Sequence, residues 1–310
     1  MTGQSHSGDR DRGEDIMKFT EGYWLRKESV QASYASQAYA IERIPHGIRI
    51  AAPERPIRSR ADALDITVLY VDIVSSSHND IEVRAFHFMA YDEKEPRFEL
   101  HTEPDDVEVE ELEDETVLTA GNMKVRVSRK DWNIRFEADG RLLTSCGFRN
   151  LAYFRVNKQP AKLNMVPDYF AQDYAPYMEA ELSVKPGETV YGLGERFTPF
   201  VKNGQVVDMW NEDGGTSSSV SYKNIPFYMT SEHYGVFVDH TGQVSYEINS
   251  EKVEYVGFSV PGEQLRFHVI YGRTPEDIID VYTKLTGRPA LPPEWSFGLW
   301  LSTSFKPSYD

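Results

Sequence analysis

Ile81-Glu82-Val83-Arg84-Ala85-Phe86-His87-Phe88 alternates apolar and polar side chains almost strictly. Successive side chains of a strand point to opposite faces, so this spacing builds a half-buried strand; a helix would need apolar residues three and four apart. Upstream, the β-branched run Ile66-Thr67-Val68-Leu69-Tyr70-Val71-Asp72-Ile73-Val74 ends in the polar cluster 75–80. Downstream, Met123–Ser128, Asn133–Glu137 (before the turn pair Asp139-Gly140), Gly235–Asp239, Val244–Ile248 and Leu265–Ile270 repeat the period. Many short alternating segments bounded by turn residues predict a mainly β fold, an antiparallel β-sandwich.

Composition bounds the partners. Forty per cent hydrophobic and 26% charged residues exclude global disorder, collagen and coiled coil, and 310 residues suit two domains. No apolar run reaches the roughly 18–20 residues of a membrane-spanning helix. With 33 Lys and Arg against 49 Asp and Glu, the net charge of −16 repels nucleic acid and anionic membrane surfaces, so neither is expected as a partner. The single cysteine, Cys146, reads as a small buried hydrophobe rather than a disulfide or thiolate-metal partner. Residues 1–16 are polar, without the apolar core of a secretory signal, and read as a disordered extension of a cytoplasmic protein. Assembly into a homo-oligomer stays open.

Glu103 to Glu115 holds nine acidic residues and no basic one, without the glycine and ligand spacing of a calcium loop. Mutual repulsion predicts a solvated loop or an edge strand there. Thr274-Pro275-Glu276-Asp277 has the form of a helix start, followed by Ile278, Ile279, Val281, Tyr282 and Leu285 on one face and Gly287 as a stop. A proline-rich linker, 288–293, leads to the nearly all-apolar Trp295–Leu301, a pattern that suits a strand buried on both faces.

Few residues offer chemistry. Tyr191-Gly192-Leu193-Gly194-Glu195-Arg196-Phe197 lacks the third glycine and the helix of a dinucleotide loop, so its glycines predict a bulge or close backbone approach. Glu195 and Arg196 are expected to form a buried ion pair that fixes this turn. In 208–219, Trp210, Asn211, Glu212 and Asp213 stand beside Gly214-Gly215, a mixture suited to sugar recognition: aromatic faces stack on the ring while amides and carboxylates take the hydroxyls. A solvated loop has the same composition. The eight histidines show no metal-ligand spacing, and neither a Gly-x-Ser-x-Gly elbow nor a phosphate-binding loop occurs.

Five segments in order, Tyr191–Phe197, Trp210–Thr216, Tyr222–Tyr228, Thr286–Pro293 and Trp295–Trp300, resemble glycoside hydrolase family 31, and its bacterial α-xylosidase branch in particular. The resemblance is dense from about 188 to 305 and thinner over 17–178. It implies a galactose mutarotase-like sandwich over 17–273, a helix and linker over 274–293, and the first strand of a (β/α)8 barrel over 294–310, cut short. It also implies that Asp213 accepts a sugar hydroxyl on a loop lent to the active site, that Trp210 lies nearby, and that Phe297 walls the sugar pocket. The family's nucleophile and general acid/base, both aspartates, match no residue here, so no residue is assigned a catalytic role and the chain alone is expected to be inactive. The implied enzyme needs no metal or organic cofactor and takes α-xyloside oligosaccharides. An α-glucosidase of the same family, a stand-alone carbohydrate-binding sandwich and a mutarotase-like enzyme are the alternatives.

Overall fold

Every segment predicted from period two is a strand. A computed structural model describes residues 18–21, 25–88, 97–157, 174–212 and 220–300. Ile81–Phe88 appears as Asp80–Phe86, and Leu265–Ile270 as Gln264–Tyr271. Asp139 and Gly140, at φ 48° and 74°, make the two-residue hairpin turn between Ile134–Ala138 and Arg141–Cys146.

Three antiparallel sheets result among the described residues. An eight-stranded sheet runs, edge to edge, Val190–Gly192, Phe227–Thr230, Tyr234–Val238, Gln264–Tyr271, Asp80–Phe86, Val68–Ser77, Gly47–Pro53, Ala40–Ile44. A six-stranded sheet runs Val30–Tyr34, Leu151–Asn157, Tyr174–Ser183, Tyr255–Pro261, Val244–Ile248, Gln205–Met209. The five-stranded sheet Arg141–Cys146, Ile134–Ala138, Met123–Ser128, Glu115–Ala120, Val107–Glu111 is a meander. Thr144 Oγ1 donates to the Ser183 carbonyl at 2.7 Å and the Ser145 amide donates to Ser183 Oγ at 2.9 Å, joining the two smaller sheets. One apolar core spans all three, with Ile50, Ile73 and Phe267 from the largest, Phe258 and Leu182 from the second, and Phe136 and Val125 from the third.

The outer face of the eight-stranded sheet carries the helix Pro275–Thr286. Thr274 Oγ1 accepts from the Asp277 amide at 3.2 Å while Asp277 Oδ2 accepts from the Thr274 amide at 3.0 Å, a reciprocal cap worth about 1 kcal/mol. Ile278 and Leu285 are fully buried against Phe227, Phe237 and Ile270, each contributing about 1.5–3 kcal/mol. The same face also holds a polar row: Arg49–Asp72 at 2.6 Å, Arg266–Asp239 at 3.2 Å, and a wholly buried pair, His268 Nδ1 and Asp80 Oδ2, at 3.0 Å. A strap crosses there, bonded through the His101 amide to the Leu285 carbonyl (2.8 Å), the Glu103 amide to Ser77 Oγ (3.3 Å) and the Asp105 amide to Ser75 Oγ (3.0 Å).

The acidic tract is thus divided. Its first residues belong to that strap, and Val107–Glu111 is the edge strand of the five-stranded sheet, with Val107 and Val109 turned to the core and Glu108 and Glu110 to solvent. Cys146 is buried, its thiol pushed up to about 12 by desolvation, and behaves as the small hydrophobe expected.

Glu294–Phe297 forms a single 3-10 turn and 298–300 pair with no strand among the described residues; the rest of the segment expected to open a barrel, 301–310, lies outside them. Strand geometry needs a neighbour to satisfy its backbone groups, and among the described residues none lies alongside; Trp295, Leu299 and Trp300 stand exposed instead. Leu301 to Asp310 lie outside the described residues, as does the extension 1–16. No helix among the described residues is long and apolar enough to cross a membrane.

Candidate functional site

The segment Tyr191–Phe197 runs antiparallel to Tyr222–Thr230. Tyr191 pairs with Met229, and beyond the strand the Leu193 amide donates to the Phe227 carbonyl (2.9 Å) and the Glu195 amide to the Lys223 carbonyl (3.0 Å). Gly192, Leu193 and Gly194 lie at φ 115°, 68° and 85°. A Cβ at Gly194 would sit 2.2 Å from the Lys223 carbonyl oxygen, and one at Gly192 would sit 2.7 Å from that of Phe227. The two glycines therefore serve close backbone approach, as the sequence predicted, and Leu193 buries its side chain in the core.

The expected Glu195–Arg196 ion pair is absent. Neighbours on a turn diverge: Glu195 reaches out to Lys223 Nζ at 2.9 Å, and Arg196 turns inward. Arg196 Nε donates to the Leu193 carbonyl (3.2 Å) and Nη2 to Asn224 Oδ1. Burial lowers the guanidinium's pKa, with the Asp208 charge partly opposing it, so these hydrogen bonds operate in a desolvated setting.

Asn224 carries the contact onward. Its Nδ2 donates to Asn211 Oδ1 and to the Ser221 carbonyl, both at 2.8 Å, and its amide to Asn211 Oδ1 at 3.3 Å. Asn211 and Ser221 form a parallel bridge, and the Glu212 amide donates to the Ser221 carbonyl at 3.1 Å, which closes the base of the intervening loop. Beside this base lies a cleft of about 300 Å³, lined among others by Phe98, Trp210, Asn211, Asn224, Pro226 and His240. Phe98, Asn224 and Pro226 also wall a second depression of about 420 Å³ towards Tyr282 and Thr286 of the helix. Exposed aromatic surface beside fixed amides is the chemistry that receives a sugar ring and its hydroxyls.

Of the residues singled out in the sequence, Trp210 lines this cleft and is 62% exposed. Phe297 does not line it and stands exposed on the 3-10 turn. Asp213 lies outside the described residues. Asn224 and Phe98 were not singled out in the sequence, where nothing in its neighbourhood marks Phe98 as a wall, and Arg196 was assigned a different partner.

A second polar depression lies on the outer face of the six-stranded sheet, lined by Glu179, Glu181, Glu247, Glu251 and Lys252. Lys252 Nζ donates to both Glu181 oxygens, at 2.8 and 2.6 Å. Burial, then the Glu181 charge, raises the Glu179 carboxyl well above the usual carboxylate range. A raised folded-state pKa contributes stability that is complete below the unfolded value and is lost as pH rises through the folded one. Glu179→Gln is therefore expected to melt close to wild type at pH 4.5 and progressively above it towards pH 8. A melting difference that does not grow with pH would show that Glu179 ionises freely.

Comparison with known proteins agrees with this architecture. The family described as Glycosyl hydrolase 31 N-terminal galactose mutarotase-like domain matches residues 66–247. Alpha-xylosidase XylQ of Lactiplantibacillus pentosus is 42% identical across 94% of this chain, and an alpha-xylosidase of Emericella nidulans is 38% identical across 94%. The chain spans 37% and 38% of the lengths of those two relatives. Among solved structures, the cycloalternan-forming enzyme of Listeria monocytogenes superposes with a TM-score of 0.70 over 87% of this chain and 24% of its own, at 17% identity, a likeness of fold.

Proposed function

The chain belongs to glycoside hydrolase family 31, and from that premise we propose that it is the N-terminal part of a retaining α-xylosidase releasing terminal α-linked xylose from oligosaccharides. The observation that carries this reading is the identity of 42% and 38% to two alpha-xylosidases over 94% of the chain. In this reading 17–273 is the sandwich domain, 274–293 a connecting helix and linker, and 294–310 the start of the barrel domain. The cleft at Trp210 forms one wall of the sugar site, with Asp213 accepting a hydroxyl and Phe297 closing the pocket once the barrel is in place. The lone, buried Cys146 suits a reducing, cytoplasmic setting.

Retaining hydrolysis needs a nucleophilic carboxylate and a general acid/base about 5–5.5 Å apart across the scissile bond. We assign both to the barrel, in the part of the relatives' length that this chain does not span, and no group of this chain to either role. The sandwich's task is to bind and orient, for which no metal or cofactor is required.

The test compares the 310-residue chain with the intact enzyme on p-nitrophenyl α-xyloside and α-glucoside. The intact enzyme is expected to hydrolyse the xyloside at least about 10-fold faster, by kcat/KM, since the site must reject the extra hydroxymethyl group of glucose. The chain alone is expected to give no turnover. Preference for the glucoside would make the enzyme an α-glucosidase, and hydrolysis by the chain alone would overturn the assignment of catalysis to the barrel.

A further inference from the structure

Asn211 occupies an unusual position at the cleft. Its Oδ1 accepts from both the backbone and the side-chain N–H of Asn224, which fixes which end of the amide faces which way. Nδ2 therefore points away from Asn224, on a residue that lines the cleft beside Trp210, and no described residue accepts from it. Asn224 is itself held at both side-chain polar atoms: Oδ1 by the half-buried Arg196 guanidinium, Nδ2 by Asn211 Oδ1 and the Ser221 carbonyl. Arg196 is anchored in turn on the Leu193 carbonyl, in the segment whose close packing the two glycines permit. The relay is directional. A guanidinium only donates, so Asn224 must present oxygen to Arg196 and nitrogen to Asn211, and Asn211 must then turn its own nitrogen away from Asn224.

We propose that Asn211 donates its side-chain N–H to a hydroxyl of the bound pyranose, and that Arg196, acting through Asn224, is the positioning residue that sets the polarity of this donor. The inference rests on the reading of the Trp210 cleft as part of the sugar site and adds to it a specificity contact and the reason for its direction. A preset donor beside an aromatic face selects a sugar by one hydroxyl, at no cost in reorientation when the ligand arrives.

The experiment measures competitive inhibition of the intact enzyme by xylose and by its 2-, 3- and 4-deoxy analogues. Wild type is expected to bind one deoxy analogue about 10-fold more weakly than xylose, the loss of one good hydrogen bond. In Asn211→Ala that discrimination should shrink to within about twofold, with xylose itself weakened and the other two analogues keeping their relative affinities. Arg196→Met should reproduce the loss of discrimination, and Arg196→Lys, which still donates to Asn224, should restore most of it. KM should rise in each defective variant while kcat stays within about twofold, the mark of lost binding rather than lost chemistry. Asn211→Ala that weakens all four sugars equally, or none, overturns the inference and leaves the sugar-site reading standing. Failure of the wild-type enzyme to bind xylose at all would overturn that reading and the contact with it.

Discussion

Gly194→Ala is expected to lower the melting temperature by roughly 10 °C and to abolish sugar binding at the Trp210 cleft. The new Cβ would lie 2.2 Å from the Lys223 carbonyl oxygen and 2.8 Å from the Ile225 nitrogen, both backbone atoms. Neither can retreat alone, because the Glu195 amide is bonded to that same carbonyl and the Leu193 amide to Phe227. A left-handed φ of 85° adds about 1–2 kcal/mol for any residue with a Cβ. Together these place the loss near 3–5 kcal/mol, or about 2–4 °C per kcal/mol for a domain of this size. Gly187 is the internal control: its φ is 84°, yet nothing lies within 4 Å of the added carbon. Gly187→Ala should lose only the backbone term, and thermal melts of the two variants side by side isolate the contact. Equal losses would mean that the two backbones are not pressed together.

Asp80→Ala is expected to cost about 3–5 kcal/mol, because it leaves a wholly buried imidazole without its partner. His268 is pulled down by burial, but the charge and hydrogen bond of Asp80, with help from Glu82 and Asp239, outweigh this and hold its pKa above the ordinary value. Folding is therefore favoured by protonation of His268. This contribution is complete below the unfolded value and fades as pH rises through the folded one. Denaturant melts of wild type and Asp80→Ala at pH 5.5 to 9 should show the largest gap at the acid end and a narrowing gap above neutrality. A gap that widens with pH would show that His268 is neutral in the folded protein.

Local periodicity carried the strands, since Met123–Ser128 and Val244–Ile248 can be read from their own side chains without knowing their neighbours. The helix was equally legible, as Thr274, Pro275, Asp277 and Gly287 each act within a turn of their own position. Pairing was not. Nothing in Val30–Tyr34 announces Leu151–Asn157 as its partner, because register is set by contacts between distant segments. The glycines of 191–197 announced a close approach but not what they approach. Arg196 was paired with the wrong residue because direction along a turn depends on φ values that the sequence does not display, including a positive one at Leu193. Trp210 could be marked from composition; the Arg196–Asn224–Asn211 relay joins positions up to 28 apart and emerges only after folding. The apolar run Trp295–Leu301 supplied a reason for burial but named no hydrogen-bonding neighbour, and its described part holds a 3-10 turn with none alongside.

The order of strands in the eight-stranded sheet has a consequence for how the protein is made. Its two halves, Ala40–Phe86 and Val190–Val238, are joined in the strand order by Gln264–Tyr271, which pairs with Asp80–Phe86 on one side and Tyr234–Val238 on the other. This keystone is the last strand of the sheet to be synthesised. Until it leaves the ribosome, two half-sheets wait with open inner edges, and one waits through the synthesis of nearly 180 further residues. Contacts of such long separation close slowly. Chaperone demand during translation should therefore peak before residue 271 emerges and fall sharply after it, so that the sandwich forms in one late step rather than growing strand by strand.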